Sequence, residues 1–156
     1  MLVTIGNSLR GDDGLPKLLA EALPARIRTK ICLADLGTYT GLLPDCLSGH
    51  RSAVVVDATL NGSKPGSVSI ADLGQAVGQA SPIMLEKSHG FSLLDELKLG
   101  GQSSNLPQRA LFFGIEVCQT EWGSQISPLI QDRIPALCRR LSRLIDTLLE
   151  ESISHA

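Results

Sequence analysis

Ala53-Val54-Val55-Val56-Asp57-Ala58 constrains the fold of this chain more than any other stretch. Three β-branched residues in succession after an alanine leave no polar side for water. A strand of that kind is covered on both faces, as in the parallel sheets of α/β proteins. Asp57 lies at its carboxyl end. A carboxylate beside four apolar residues is costly to bury unless it is paired, hydrogen-bonded or bound to a metal. A turn or capping acid is the plain alternative, since Asn61-Gly62 follows closely.

The second informative stretch is Gly6-Asn7-Ser8-Leu9-Arg10-Gly11-Asp12-Asp13-Gly14. The apolar run Met1–Ile5 leads into it. Leu15, Leu18, Leu19, Ala22 and Leu23 lead out at helical spacing. Pro16 suits a first helical turn, and Pro24 stops the helix. The pattern is strand, glycine loop, helix, and ligands of open α/β sheets sit outside the carboxyl ends of strands. The loop has neither the G-x-x-x-x-G-K-[ST] nor the G-x-G-x-x-G phosphate pattern. Asp12 and Asp13 would repel a phosphate and attract a cation. Their plainer use is to favour the positive end of the helix, worth about 0.3–1 kcal/mol.

Further strands are expected at Ile27–Leu36, strongest over Lys30–Ala34, at Ser67–Ala71 as an edge, and at Ala110–Ile115, ending in Glu116. Gly41–Leu47 reads as a short helix with Leu42, Leu43 and Leu47 inward. Residues 72–81 have no clear pattern. Pro82–Leu85 reads as a short extended piece, and Phe91, Leu93, Leu94 and Leu97 as a helix with His89 at its start. Gly100–Gln108 reads as a polar loop. Ser127-Pro128 opens a long helix, with Ser127 as cap and a stripe of Leu137, Leu141, Leu144, Ile145 and Leu148. Arg139, Arg140 and Arg143 face away from that stripe. An interior proline costs about 3 kcal/mol, so Pro135 predicts a kink or restart. Residues 151–156 are expected to fray. Strands alternating with helices argue an α/β fold with a mostly parallel sheet, in one domain over residues 1–156.

The net charge of −2 with no basic stripe excludes nucleic acid as the expected partner. No apolar run approaches a membrane span. Cys32, Cys46, Cys118 and Cys138 are far apart, without C-x-x-C. They read as buried, reduced thiols of a cytoplasmic protein.

Asp13, Asp57 and His89 fall where strand ends of a parallel sheet converge. Two carboxylates and one imidazole suit a borderline divalent ion such as Ni²⁺ or Zn²⁺. The order of Gly6-Asn7-x-Leu9-x-x-Asp12-Asp13-Gly14, Asp35-x-Gly37-Thr38, Asp57-Ala58, His89 and Gly114-Ile115-Glu116 resembles the hydrogenase maturation proteases. These endopeptidases remove a C-terminal extension from the large subunit of nickel–iron hydrogenases. The resemblance runs from residue 1 to about residue 148.

It implies a three-layer α/β/α sandwich, hydrolase-like, on a five-stranded twisted sheet whose one antiparallel strand is Ser67–Ala71. It implies Asp13, where many members carry Glu, Asp57 and His89 as both the nickel ligands and the catalytic set. Asn7, Asp35, Thr38 and Glu116 are then supporting or substrate-contacting residues. Nickel arrives with the large-subunit precursor, there is no organic cofactor, and the enzyme is a cytoplasmic monomer. Two departures stand out: Thr4 replaces the first glycine of G-x-G-N, and Pro16 the last glycine of D-G-x-G. Neither position is a ligand. The alternative function is a non-catalytic checkpoint protein that senses the metal without cutting.

Overall fold

The computed structural model describes residues 1–78, 97 and 106–154. Its elements are β1 (Leu2–Thr4), α1 (Leu15–Glu21), α2 (Ala25–Arg28), β2 (Leu33–Asp35), α3 (Leu43–Leu47), β3 (Ser52–Thr59), β4 (Val68–Asp72), α4 (Leu73–Gly78), β5 (Arg109–Glu116), α5 (Pro128–Gln131) and α6 (Ile134–Ser154). Short 3₁₀ turns, Gly11–Gly14 and Thr40–Leu42, precede α1 and α3. The expected piece at Pro82–Leu85, His89, the helix from Phe91 (apart from Leu97) and the loop up to residue 105 lie outside the described residues, as does His155.

The five strands form one sheet in the order β2-β1-β3-β5-β4. All neighbours are parallel except β4, which runs antiparallel to β5 with Ser69 opposite Gly114. The odd strand is therefore the one expected. Alternation along β3 divides the core. Val54, Val56 and Ala58 face Leu15 and Leu19 of α1, Ile27 of α2 and Leu137, Leu141, Ile145 and Leu148 of α6. Ala53 and Val55 face Leu43 and Leu47 of α3, Leu73 of α4 and Leu97. Phe112 and Phe113, on opposite faces of β5, are both fully buried, and burying such a side chain contributes about 1.5–3 kcal/mol. Helices on both faces complete the three layers.

Several expectations are corrected. Ile27 does not begin a strand. Pro24 starts the short helix α2 instead, which buries Ile27 against the sheet, and β2 is only Leu33–Asp35. Leu42 is exposed while Leu43 and Leu47 are buried, because the 3₁₀ turn rotates Leu42 off the inward face. Residues 73–78 are helical, where no pattern was evident. Helix α6 continues to Ser154, so residues 151–154 are not frayed. Cys32 and Cys118 are exposed, and Cys46 and Cys138 half-buried, so the thiols are free but not buried. Pro135 acts as expected: the chain breaks after α5 and restarts at Ile134, placing Pro135 in a first turn, where its missing N–H is harmless.

Candidate active site

The chain leaves β1 and crosses one face of the sheet through α1 to β2. It then crosses the other face through α3 to β3, on the far side of β1. The strand order thus reverses between β1 and β3. A crevice opens at such a switch point, outside the carboxyl ends of the strands. Asp13 lies on the β1 exit loop and Asp57 near the end of β3. Register pairs Thr4 with Val56, and the Ile5 amide donates to the Val56 carbonyl at 2.9 Å. The β1 exit therefore runs beside Asp57. Asp13 is 5% and Asp57 2% exposed.

Glycine makes the loop possible. Gly6 has φ +141°, and a Cβ there would collide with the Asp13 carbonyl oxygen. A Cβ on Gly14 would meet Ser8 Cα at 2.8 Å. Pro16 in place of the family's glycine fits, since it lies in the first turn of α1. The Asn7 amide donates to Asp13 Oδ2 at 2.9 Å, fixing that carboxylate over the end of β1. Asn7 supports Asp13 through its backbone, and its own Oδ1 accepts the Leu9 amide.

The adjacent acid does different work, which the sequence did not reveal. Asp12 is fully buried. Its Oδ1 accepts the Ser127 amide at 2.6 Å. Its Oδ2 accepts the Ser127 hydroxyl at 3.0 Å and the Cys118 and Gln119 amides at 3.2 and 3.1 Å. It ties the loop after β5 to the loop after β1. Ser127 thus directs its hydroxyl to Asp12 and makes no side-chain cap for α5, contrary to expectation.

Asp35, which ends β2, pairs with Thr4 across the sheet and accepts the Thr4 hydroxyl at 3.0 Å. Thr4, the other departure from the family pattern, is therefore a partner of Asp35. The Lys17 ammonium lies 3.0 Å from Asp35 Oδ2. Partial burial pushes the Asp35 carboxyl up, but Lys17, Thr4 and the Gly37 amide outweigh it and hold it below its ordinary range. The same pairing raises Lys17. Thr38 is exposed in the turn that follows. Glu116, which ends β5, is buried. It accepts the Thr59 hydroxyl at 3.0 Å and the Asn61, Gly62 and Ser63 amides at 2.8–3.2 Å, clamping the loop after β3.

Asp13, on the loop after β1, and Asp57, near the end of the neighbouring strand β3, thus lie at the same edge of the sheet, with the Asn7 amide on Asp13. Asp35 and Glu116 flank them at the neighbouring strand ends. Among the described residues no group of three His, Cys, Asp or Glu side chains is arranged to hold a metal, and His89 lies outside those residues. Two carboxylates alone make a hard, oxygen-only pair, and a nitrogen donor is what would shift such a set toward nickel. No helix among the described residues is long and apolar enough to cross a membrane.

Comparison with known proteins agrees with this architecture. The family described as HycI, hydrogenase maturation protease, matches residues 18–143. A search of curated protein sequences finds no match. The fold is similar to that of the hydrogenase maturating endopeptidase HybD from E. coli, at a TM-score of 0.72 and 19% identity over 94% of this chain and 91% of that one. It is also similar to the [NiFe] hydrogenase maturation protease HybD from Thermococcus kodakarensis (0.69, 20%, 92% and 97%). HycI from Thermococcus kodakarensis KOD1 gives 0.62 and 22%, over 93% and 91%.

Proposed function

The chain belongs to the hydrogenase maturation protease family, and we propose that it removes the C-terminal extension of a nickel–iron hydrogenase large-subunit precursor once nickel has been inserted. The observation that carries this reading is the pair of buried carboxylates, Asp13 and Asp57, at the β1/β3 switch point. With His89 they would receive the nickel that the precursor brings. The ion belongs to the substrate, and it would act as Lewis acid or template for the peptide bond beside it. The protein's own contribution is to hold the acids in place. The Asn7 amide orients Asp13, Gly6 lets the Asp13 backbone pack against β1, and Asp12 and Glu116 fix the loops on either side. Water then attacks the scissile carbonyl and the extension leaves as a free peptide. The reaction is assigned to the cytoplasm, with the enzyme as a monomer.

The test is a gel time course of nickel-loaded precursor with the wild-type protein and with His89→Ala, His50→Ala and His155→Ala. His89 is the sole nitrogen of the proposed set, so its loss leaves two carboxylates that prefer harder ions. Only His89→Ala should slow processing strongly, and nickel-free precursor should be cut poorly. Equal processing by all variants, or equal cutting without nickel, overturns the reading. Tight binding of loaded precursor with no shortening by the wild-type protein would make the chain a checkpoint instead.

A further inference from the structure

The exposed large apolar side chains of the described residues are unevenly placed along the chain. Of the eight large ones among the described residues, five follow strand ends at the carboxyl edge: Leu9 after β1, Tyr39 and Leu42 after β2, Leu60 after β3 and Trp122 after β5. Clustering on one edge is what distinguishes an interaction surface from the single exposed apolar residues common on any protein. Leu9 and Trp122 stand out most, at 64% and 70% exposed.

Their loops are locked together. The Gly123 amide donates to the Leu9 carbonyl at 2.8 Å, the Gly11 amide to Ser124 at 3.2 Å and the Asp12 amide to Gln119 at 2.8 Å. Arg10 Nε donates to the Thr120 carbonyl at 3.0 Å, and its guanidinium carbon lies 5.7 Å from the centre of the Trp122 ring. The buried Asp12 carboxylate anchors both loops from beneath. Asp12 and Asp13 continue the same turn, so this double loop runs directly into Asp13. An exposed tryptophan held by a hydrogen-bonded frame and overlain by an arginine loses little conformational freedom on contact. Trp and Arg are the residue types that most often dominate protein interfaces.

We propose that Leu9, Arg10 and Trp122 form the platform on which the precursor polypeptide docks for cleavage. An apolar side chain of that polypeptide would lie on Trp122 and Leu9, and a carboxylate beside Arg10. The proposal rests on the processing activity argued above, which requires a chain to cross this edge on its way past Asp13 and Asp57. The three residues act by positioning substrate and take no part in bond breaking.

Two measurements test it. In steady-state cleavage of nickel-loaded precursor, Trp122→Ala should raise KM by about 10- to 30-fold and leave kcat within about twofold. Leu9→Ala should move KM the same way by less, and Trp122→Phe should recover most of the loss. Trp122 is the only tryptophan, so 5-fluorotryptophan labelling gives a single ¹⁹F resonance. That resonance should shift when loaded precursor is added at low temperature, before turnover, and stay fixed when the labelled protein alone is concentrated. A Trp122→Ala enzyme with wild-type KM overturns the platform and leaves the processing activity intact. A resonance that moves with the protein's own concentration overturns it in favour of a second copy of the chain as occupant. A wild-type protein that neither binds nor cuts the precursor removes the processing activity itself, and the platform with it.

Discussion

Ser127 donates both its amide and its hydroxyl to the Asp12 carboxylate, at 2.6 and 3.0 Å, across 115 residues of sequence. Two further amides, from Cys118 and Gln119, converge on the same group. Asp12 is therefore a fastener of the two loops, while its neighbour Asp13 accepts the Asn7 amide at the exit of β1.

This difference predicts opposite outcomes for adjacent substitutions. Asp12→Ala leaves several buried donors without their acceptor and should lower stability by about 3 kcal/mol or more, read as a shift of the urea midpoint. Asp13→Asn keeps an oxygen for the Asn7 amide and should cost less than Asp12→Ala while abolishing precursor cleavage. Equal destabilisation by both would refute the division of labour.

Gly6→Ala should be harmful out of proportion to its size. Its φ of +141° is outside the range of ordinary side chains, and the new methyl would strike the Asp13 carbonyl. A loss of about 2 kcal/mol or more is expected, together with loss of cleavage. Gly62→Ala, also at positive φ (+86°) but with open space around its Cβ, should cost less. Thermal melts of the two variants make the comparison.

The Lys17–Asp35 pair gives a pH signature with a definite sign. Asp35 titrates below its ordinary 3.8 in the folded protein. Its contribution to stability is therefore complete above the unfolded value and fades as pH falls through the folded one. Lys17 lies above its ordinary 10.5, so its contribution is complete below that value and fades as pH rises through the folded one. Both groups are substantially exposed, so the energetic effect is small. Lys17→Met should move the Asp35 midpoint upward in a carboxyl ¹³C NMR titration, because burial then meets less opposition. An unmoved midpoint would mean that the Thr4 and Gly37 hydrogen bonds alone hold Asp35 down.

Pro135→Ala should change stability by less than about 1 kcal/mol, far from the roughly 3 kcal/mol recovered when a proline is removed from a helix interior. The helix has already restarted at Ile134, so no intrahelical hydrogen bond is waiting for the missing N–H. Equilibrium urea unfolding of the variant measures it.

The sequence by itself determined the features that depend on local chemistry. The apolar run of β3 required a sheet covered on both faces. The glycines around Asp12 and Asp13 required a tight turn at a strand exit. The spacing of Leu137, Leu141, Ile145 and Leu148 required a helix with one buried stripe, and Pro135 its restart. Each follows from side-chain periodicity or from backbone angles that only certain residues adopt. The tertiary structure alone decided which of two neighbouring acids is consumed in holding the loops. It alone showed that Thr4 partners Asp35, that Glu116 clamps the loop at Asn61–Ser63, and that Pro24 opens a helix over Ile27. The hydrogen-bonding partners of Asp12 lie 106 to 115 residues further along the chain. A carboxylate carries no mark of what it will meet at that distance, because most of its partners are backbone amides that every non-proline residue possesses.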